Sequence, residues 1–356
     1  MKRKVFIIAE AGVNHNGDIR KALELVRLAK KCGANAIKFQ IFKTDRFVAD
    51  NAELCKYQSK GNKKEKQKDM LKKLEFSQEN FLKIYKYSKK IGIEFMSTAF
   101  DCDSLNFLIT RIKVKRIKIA SGDLVNPILL FKASNSNLPI ILSTGMSNIS
   151  EIKLALGIIG FSYIKKKIPK KKEALEILKN KKTQKILKQK VTILQCTTEY
   201  PTQLKNANLQ VISTLKKKFG LKVGLSDHTQ GINISIASIP LGIALLEKHF
   251  TLSKKLNGPD HSSSLEPSEF KIMVNAIRDV EIALGSEIKK PSKEENYNKS
   301  KIRGKLFASK QINKNDYFSL DNVIIKRSSK GKNSIDFLKL NGKKSKKNYS
   351  INEEIS

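Results

Sequence analysis

The chain has 356 residues, 40% hydrophobic and 29% charged, with a formal net charge of +37. This balance excludes a disordered or membrane-embedded chain, and the length suits a large α/β barrel of about 250 residues plus a small appendage. The charge leaves a nucleic-acid partner open, but runs such as KGNKKEKQKDMLKK, YIKKKIPKKK and NGKKSKKNY lack interleaved aromatics and arginine clusters. They read as a solvated lysine-rich surface whose potential favours small anions.

In chain order, the apolar run of MKRKVFIIAEAGVNHNG is shorter than a signal-peptide core and meets Glu10 at once, so it reads as a first strand rather than a leader. Seven more β-rich runs follow: NAIKFQ, IEFMSTAF, RIKIASG, LPIILSTG, VTILQCTT, KVGLSDH and IALLEKHFT. Most are nearly continuous in apolar residues, as strands buried on both faces must be, and helix-like segments separate them. Asp18 is placed to cap a helix carrying Ala22, Leu25, Val26 and Ala29, and Pro267 opens another carrying Phe270, Met273, Val274, Ile277 and Leu284. Eight such units predict a closed (β/α)8 TIM barrel. Two connections are long: residues 43–75, polar and lysine-rich, and 161–190, a basic helical insertion.

After Gly285 the pattern changes. Residues 286–299 are polar without apolar period and read as a linker, and the tail from about residue 300 shows short β-like runs with a turn near 313–316. The expected division is a barrel at 1–285, a linker at 286–299 and a small β-rich domain at 300–356. Cys32, Cys55, Cys102 and Cys196 have no C-x-x-C spacing, which suggests reduced thiols in a cytoplasm.

Barrel active sites sit at the carboxyl ends of the strands. There this sequence offers Glu10, Asn14 and His15, Lys38 and Gln40, Thr98 and Asp101, Lys118 and Ser121, Ser143, Thr198 and Tyr200, Ser226 and His228, and His249. Lysines, serines and backbone N–H groups facing one cavity suit a small phosphorylated, carboxylated anion. His228 and His249, at the ends of adjacent strands, could share a divalent ion with open positions, and Glu10 could move a proton. Each of these residues also has a bland alternative, a hydrogen-bonded strand-end histidine or a lysine paired with a neighbouring carboxylate.

The motifs AEAGVNHNG, KFQ, FMSTAFD, KIASGD, LSTGM, CTTEYPT, GLSDHT, EKHFT and GPDHSSSLEP, in this order over roughly residues 5–330, resemble the sialic acid (N-acetylneuraminate) synthases and their legionaminic and pseudaminic acid relatives. The resemblance implies condensation of phosphoenolpyruvate with an N-acetylated sugar aldehyde, N-acetylmannosamine or a 2,4-diacetamido-6-deoxymannose, with release of phosphate. It implies a barrel followed by a SAF (antifreeze-like) domain in a domain-swapped homodimer. His228 and His249 then look like ligands of Mn²⁺, or of Mg²⁺ or Co²⁺. Lys38, Thr98, Lys118, Ser121, Ser143 and Ser226 resemble the phosphoenolpyruvate site, Gln40, Thr198, Tyr200 and Asp260 the sugar site, and Glu10 the acid/base. Arg303 matches an arginine that reaches the sugar's N-acyl group from the partner subunit. Thr198 stands where some sialic acid synthases carry Asn, and the TTEYP form differs from the pseudaminic version. His15 and His261 read as supporting residues. The family's KRPG segment is KRSS here, at Lys326 to Ser329, a departure that bears on the last strands. A pseudaminic acid synthase, a nucleic-acid-binding protein and a non-catalytic sugar-binding barrel are the competing readings.

Overall fold

The computed structural model describes residues 4–54 and 66–356; Cys55 and part of the first lysine run lie outside them. Eight parallel strands close on themselves in sequence order: β1 (Phe6–Gly12), β2 (Ala36–Ile41), β3 (Glu94–Ala99), β4 (Ile117–Ile119), β5 (Ile140–Ser143), β6 (Val191–Cys196), β7 (Lys222–Asp227) and β8 (Leu245–His249). β8 returns to pair with β1, Glu10 standing beside Lys38 on one side and His249 on the other. Every expected β-rich run overlaps one of these strands.

Successive side chains of a strand alternate between faces, and that period sorts the barrel interior into layers. Ile8, Ala36, Met96, Ile141, Leu194 and Leu245 form a small apolar cluster of their own. Two residues further along the same strands come Glu10, Lys38, Thr98, Ser143, Cys196 and Glu247. The same step that fills the lower barrel with hydrocarbon therefore raises a polar layer at its carboxyl end. Gly224 keeps the lower layer closed, since a Cβ there would fall 2.5 Å from the Leu245 carbonyl oxygen and 2.6 Å from Leu194.

The outward strand residues pack against the helices in the main core, including Leu25, Val26, Phe81, Leu129, Ile159, Phe270 and Met273. Asp18 caps the helix Ile19–Lys31 by accepting from the Arg20 N–H, and Pro267 occupies the first turn of Pro267–Ala283, as the spacing predicted. Leu284, assigned to that apolar stripe, lies just beyond the last turn and is exposed. The first long connection is less polar than its composition suggests: Gln67–Leu74 is a short helix that buries Met70, Leu71 and Leu74 beside Val13, Phe42 and Val48. The second holds the helices Lys171–Ile177 and Lys181–Lys190.

Compactness divides the chain into Met1–Gly285 and Ser286–Ser356. The second unit begins in the segment read as a linker, yet Lys293–Ile302 is helical, because Ser292 and Glu295 form a reciprocal capping box that supplies the start signal an apolar stripe would otherwise give. β9 (Gly304–Ala308) and β10 (Val323–Arg327) pair antiparallel. Leu306, Ala308, Ile312 and Phe318 are buried together with Tyr349 and Ile355, so the lysine-rich end of the chain contributes to this small core despite the KRSS departure.

Candidate active site

A cavity of about 260 Å³ opens at the carboxyl ends of the barrel strands. Glu10, Lys38, Gln40, Thr98, Lys118, Ser121, Ser143, Thr198, Tyr200, Ser226, His228, His249 and Asp260 all line it. These are the expected site residues except Arg303, which ends the helix Lys293–Ile302 in the second unit and is exposed. Three other strand-end residues serve the scaffold. Asn14 donates to the Phe250 carbonyl and the Ser264 hydroxyl. Asp101 caps the helix Cys102–Phe107. His15 stacks on Phe76 with ring centroids 3.9 Å apart and accepts from the Gly17 N–H. His261 contacts Thr251 and Asn16.

The floor of the cavity is a buried charge cluster. Lys38 Nζ lies 2.6 Å from Glu10 Oε2 and 3.6 Å from Glu247 Oε2, and donates to Thr98 Oγ1 at 3.0 Å. Lys118 Nζ lies 3.3 Å from Glu247 Oε1, which also accepts from the Ser226 hydroxyl at 2.8 Å. Both lysines thus have carboxylate neighbours, as the bland alternative held, but in a cavity wall rather than on a surface. Burial pushes the Glu10 carboxyl up to about 7, against the pull of Lys38. Burial pushes Glu247 the same way, yet Lys118, Lys38 and the Ser226 hydroxyl together hold it down at about 2. Two carboxyls in one pocket are therefore driven apart, one ionised throughout and one able to exchange a proton near neutrality. Desolvation also draws the Lys118 ammonium below its usual range.

Glu247 is the main residue missing from the expected set. Its signal was available: it lies two residues before His249 on one strand, so if His249 faces inward Glu247 must as well. Gly145 is a second. A Cβ there would stand 2.4 Å from Thr198 Oγ1 and 2.8 Å from Ser121 Oγ, while its N–H donates to Ser121 Oγ and Cys196 Sγ at 3.1 Å. An apolar outer wall of Val13, Phe47, Met70, Leu71, Phe100 and Met146 completes the lining. Phe47 and Phe100 pack with ring centroids 4.8 Å apart and planes tilted by 38°. Met146 is 70% exposed on left-handed backbone, φ 61°, an uncommon conformation for a non-glycine residue.

The histidine pair tests whether a metal fits. The two ring centroids are 5.4 Å apart, with Tyr200 against both. The Thr197 carbonyl accepts from His228 Nδ1 at 2.7 Å, which leaves Nε2 with a lone pair on the Ser226 side. His249 Nδ1 is buried without a hydrogen bond, 3.9 Å from Asp260 Oδ2. Burial lowers His228 to about 4 and takes His249 well below the usual histidine range, so both imidazoles are neutral, the ligating form. Among the described residues no cluster of three or more His, Cys, Asp or Glu is grouped to hold an ion. Two neutral imidazoles, one with a buried nitrogen that makes no hydrogen bond, fit a divalent ion with positions left for water and substrate.

This arrangement defines a (β/α)8-barrel enzyme working on a small anion at its strand ends. A model of the NeuB family matches residues 25–289, and the chain belongs to that family. It is 40% identical over 354 residues, 99% of each chain, to the N,N'-diacetyllegionaminic acid synthase of Campylobacter jejuni. It is 32% identical to a pseudaminic acid synthase of the same species, over 99% of this chain and 96% of that one. Among solved structures it is similar to the N-acetylneuraminic acid synthetase of Leptospira borgpetersenii crystallised with citrate, at 33% identity and a TM-score of 0.68, covering 83% of this chain and 90% of that one. Among the described residues no helix is long and apolar enough to cross a membrane.

Proposed function

We propose that the chain is a nonulosonic acid synthase that joins phosphoenolpyruvate to the open-chain aldehyde of an N-acetylated sugar and releases phosphate. The observation that carries this reading is the cavity floor, where two buried lysines, four hydroxyl side chains and a neutral histidine pair converge with a carboxyl poised near pH 7. Lys38 and Lys118, with Thr98, Ser121, Ser143 and Ser226, hold the phosphate and carboxylate, each supplying donors to oxygens already negative. Gln40, Thr198, Tyr200 and Asp260 orient the sugar. His228 and His249 would hold a divalent ion, Mn²⁺ first and Mg²⁺ or Co²⁺ as alternatives, which supplies Lewis-acid polarisation of the aldehyde oxygen.

C3 of phosphoenolpyruvate attacks the aldehyde carbon, forming the new C–C bond while the aldehyde oxygen takes a proton from the Glu10 carboxyl. Water then adds at C2 and gives its proton to Glu10. Collapse at C2 forms the ketone C=O and breaks the C–O bond to phosphate, which leaves carrying the proton of the C2 hydroxyl. The proton lost by water balances the one gained by the aldehyde oxygen, so Glu10 needs a pKa near the working pH, which burial gives it.

The apolar wall favours the 2,4-diacetamido-6-deoxy sugar over N-acetylmannosamine. That sugar carries two more methyl groups, and burying each against Phe47, Met70, Leu71 and Met146 contributes about 0.8 kcal/mol, roughly ten-fold together. The relative at 40% identity supports the same choice. Pseudaminic acid synthesis is the alternative, which the TTEYP form of the 197–201 segment disfavours.

The remaining assignments belong to the same proposal: residues 1–285 as the catalytic barrel, 286–299 as a connecting segment, 300–356 as a SAF domain, a domain-swapped homodimer in which Arg303 serves the partner's site, and a cytoplasmic enzyme without a nucleic-acid partner. Incubation with phosphoenolpyruvate and each sugar separately, followed by product mass, tests the reading. It fails if neither sugar consumes phosphoenolpyruvate.

A further inference from the structure

His228 and His249 point into the cavity; the residues just before them point out of the barrel and meet each other. Asp227 and Lys248 are register partners across β7 and β8. Lys248 is fully buried and its Nζ lies 2.9 Å from Asp227 Oδ2. It also donates to the Thr229 carbonyl at 2.6 Å. Asp227 Oδ2 accepts from the Ser235 hydroxyl at 2.6 Å, and Oδ1 accepts from the Thr229 N–H and hydroxyl at 2.9 and 2.7 Å. Thr229 follows His228, so this ion pair grips the backbone on both sides of one histidine and immediately before the other.

A buried ion pair is weak evidence of stabilisation, because desolvating two charges costs about as much as their attraction returns. Hydrocarbon of similar volume would hold β7 to β8 as well, and among the described residues the seven other junctions of the barrel show no such cross-strand ion pair behind the site. What hydrocarbon would not do is saturate the hydrogen-bonding groups of Thr229 from a fixed direction. We propose that Asp227 and Lys248 are positioning residues for the histidine pair, setting the separation and orientation of the two imidazoles. This rests on the reading of His228 and His249 as ligands.

The test is Mn²⁺ binding, followed by the loss of the free-ion electron paramagnetic resonance signal, on the full chain. Asp227→Asn with Lys248→Met removes both charges at nearly constant volume, so no unpaired charge stays buried. We expect this double variant to melt near the parent while its Kd for Mn²⁺ rises about ten-fold or more, as loss of groups that orient metal ligands does. Turnover should fall at saturating phosphoenolpyruvate, with the phosphoenolpyruvate KM little changed, because its lysines are untouched. Parental Mn²⁺ affinity in the folded double variant overturns the proposal. Should that variant not fold, Ser235→Ala removes only one hydroxyl from Asp227 Oδ2; a several-fold weaker Kd supports the proposal and an unchanged one refutes it. If the parent itself binds no Mn²⁺, the ligand reading has failed instead, and the ¹⁵N shifts of the two imidazoles then decide the positioning: a change of tautomer in the double variant supports it, identical spectra overturn it.

Discussion

Replacing Lys118 by Ala separates the substrate role of the charge cluster from its structural role. Lys118 Nζ is 3.3 Å from Glu247 Oε1, and the proposed site also sets it against phosphoenolpyruvate. Losing a charge-assisted contact costs on the order of 1.5 to 3 kcal/mol, so kcat/KM for phosphoenolpyruvate should fall roughly ten- to a hundred-fold. The same substitution takes a counter-charge from Glu247. Stripping one partner from a buried pair costs about 3 to 5 kcal/mol, an upper bound here, because Lys38 and the Ser226 hydroxyl remain beside that carboxylate. Lys118→Ala with Glu247→Gln removes both charges, so most of the lost stability should return while phosphoenolpyruvate kinetics stay impaired. Steady-state assays varying each substrate, with denaturant melts of the two single variants and the double, measure both effects. The sugar KM should move less than that of phosphoenolpyruvate. Untouched phosphoenolpyruvate kinetics in Lys118→Ala would refute the assignment of the anion site.

Chelation should abolish turnover while far-ultraviolet circular dichroism and the melting temperature hold, since two imidazoles add little to a barrel core; His228→Ala and His249→Ala should resemble the stripped enzyme. Acid stability should report on His15, whose burial lowers it from 6.5 to about 3. The unfolded chain takes up that proton first as pH falls, so the contribution is complete above about pH 6.5 and declines steadily below it, by about 2 kcal/mol at pH 5. His15→Asn should therefore give a flatter stability curve between pH 7 and 5 in urea melts, and an unchanged slope would contradict a buried neutral imidazole. Mixing inactive Arg303→Ala and His249→Ala chains by co-refolding should restore about a quarter of parental activity, because half of randomly assorted dimers are mixed and each has one intact site. Mixtures with confirmed heterodimers that stay inactive would place Arg303 in the service of its own chain or none.

The strands were readable because burial on both faces leaves little choice of residue: runs such as NAIKFQ and VTILQC have no solvent side to encode. Their polar ends were readable for the converse reason, since Lys38, Lys118, Ser143 and His249 interrupt apolar runs where only a cavity would accept them. Glu247 stands in the polar cluster Glu247, Lys248, His249 at a strand end but outside the expected site, because in a contiguous triplet only the two-residue period separates inward from outward; the same holds for Asp227 beside His228. The wall of Met70 and Leu71 was obscured by its setting: a helix of eight residues among lysines shows about two turns of pattern, too few to stand out from a polar loop. The helix at Lys293–Ile302 is fully exposed, so no apolar stripe announces it. Gly145 can be understood only from neighbours on other strands, which a linear reading cannot supply.

The central claim, carbon–carbon bond formation with cleavage of the enol C–O bond in this cavity, is tested most directly in ¹⁸O water with phosphoenolpyruvate and the 2,4-diacetamido-6-deoxy sugar. One sugar acid of the condensed mass should form for each phosphate released, and that phosphate should contain no ¹⁸O, because water adds at carbon. Phosphate carrying ¹⁸O, or phosphoenolpyruvate consumed without a sugar-dependent product, would contradict the account.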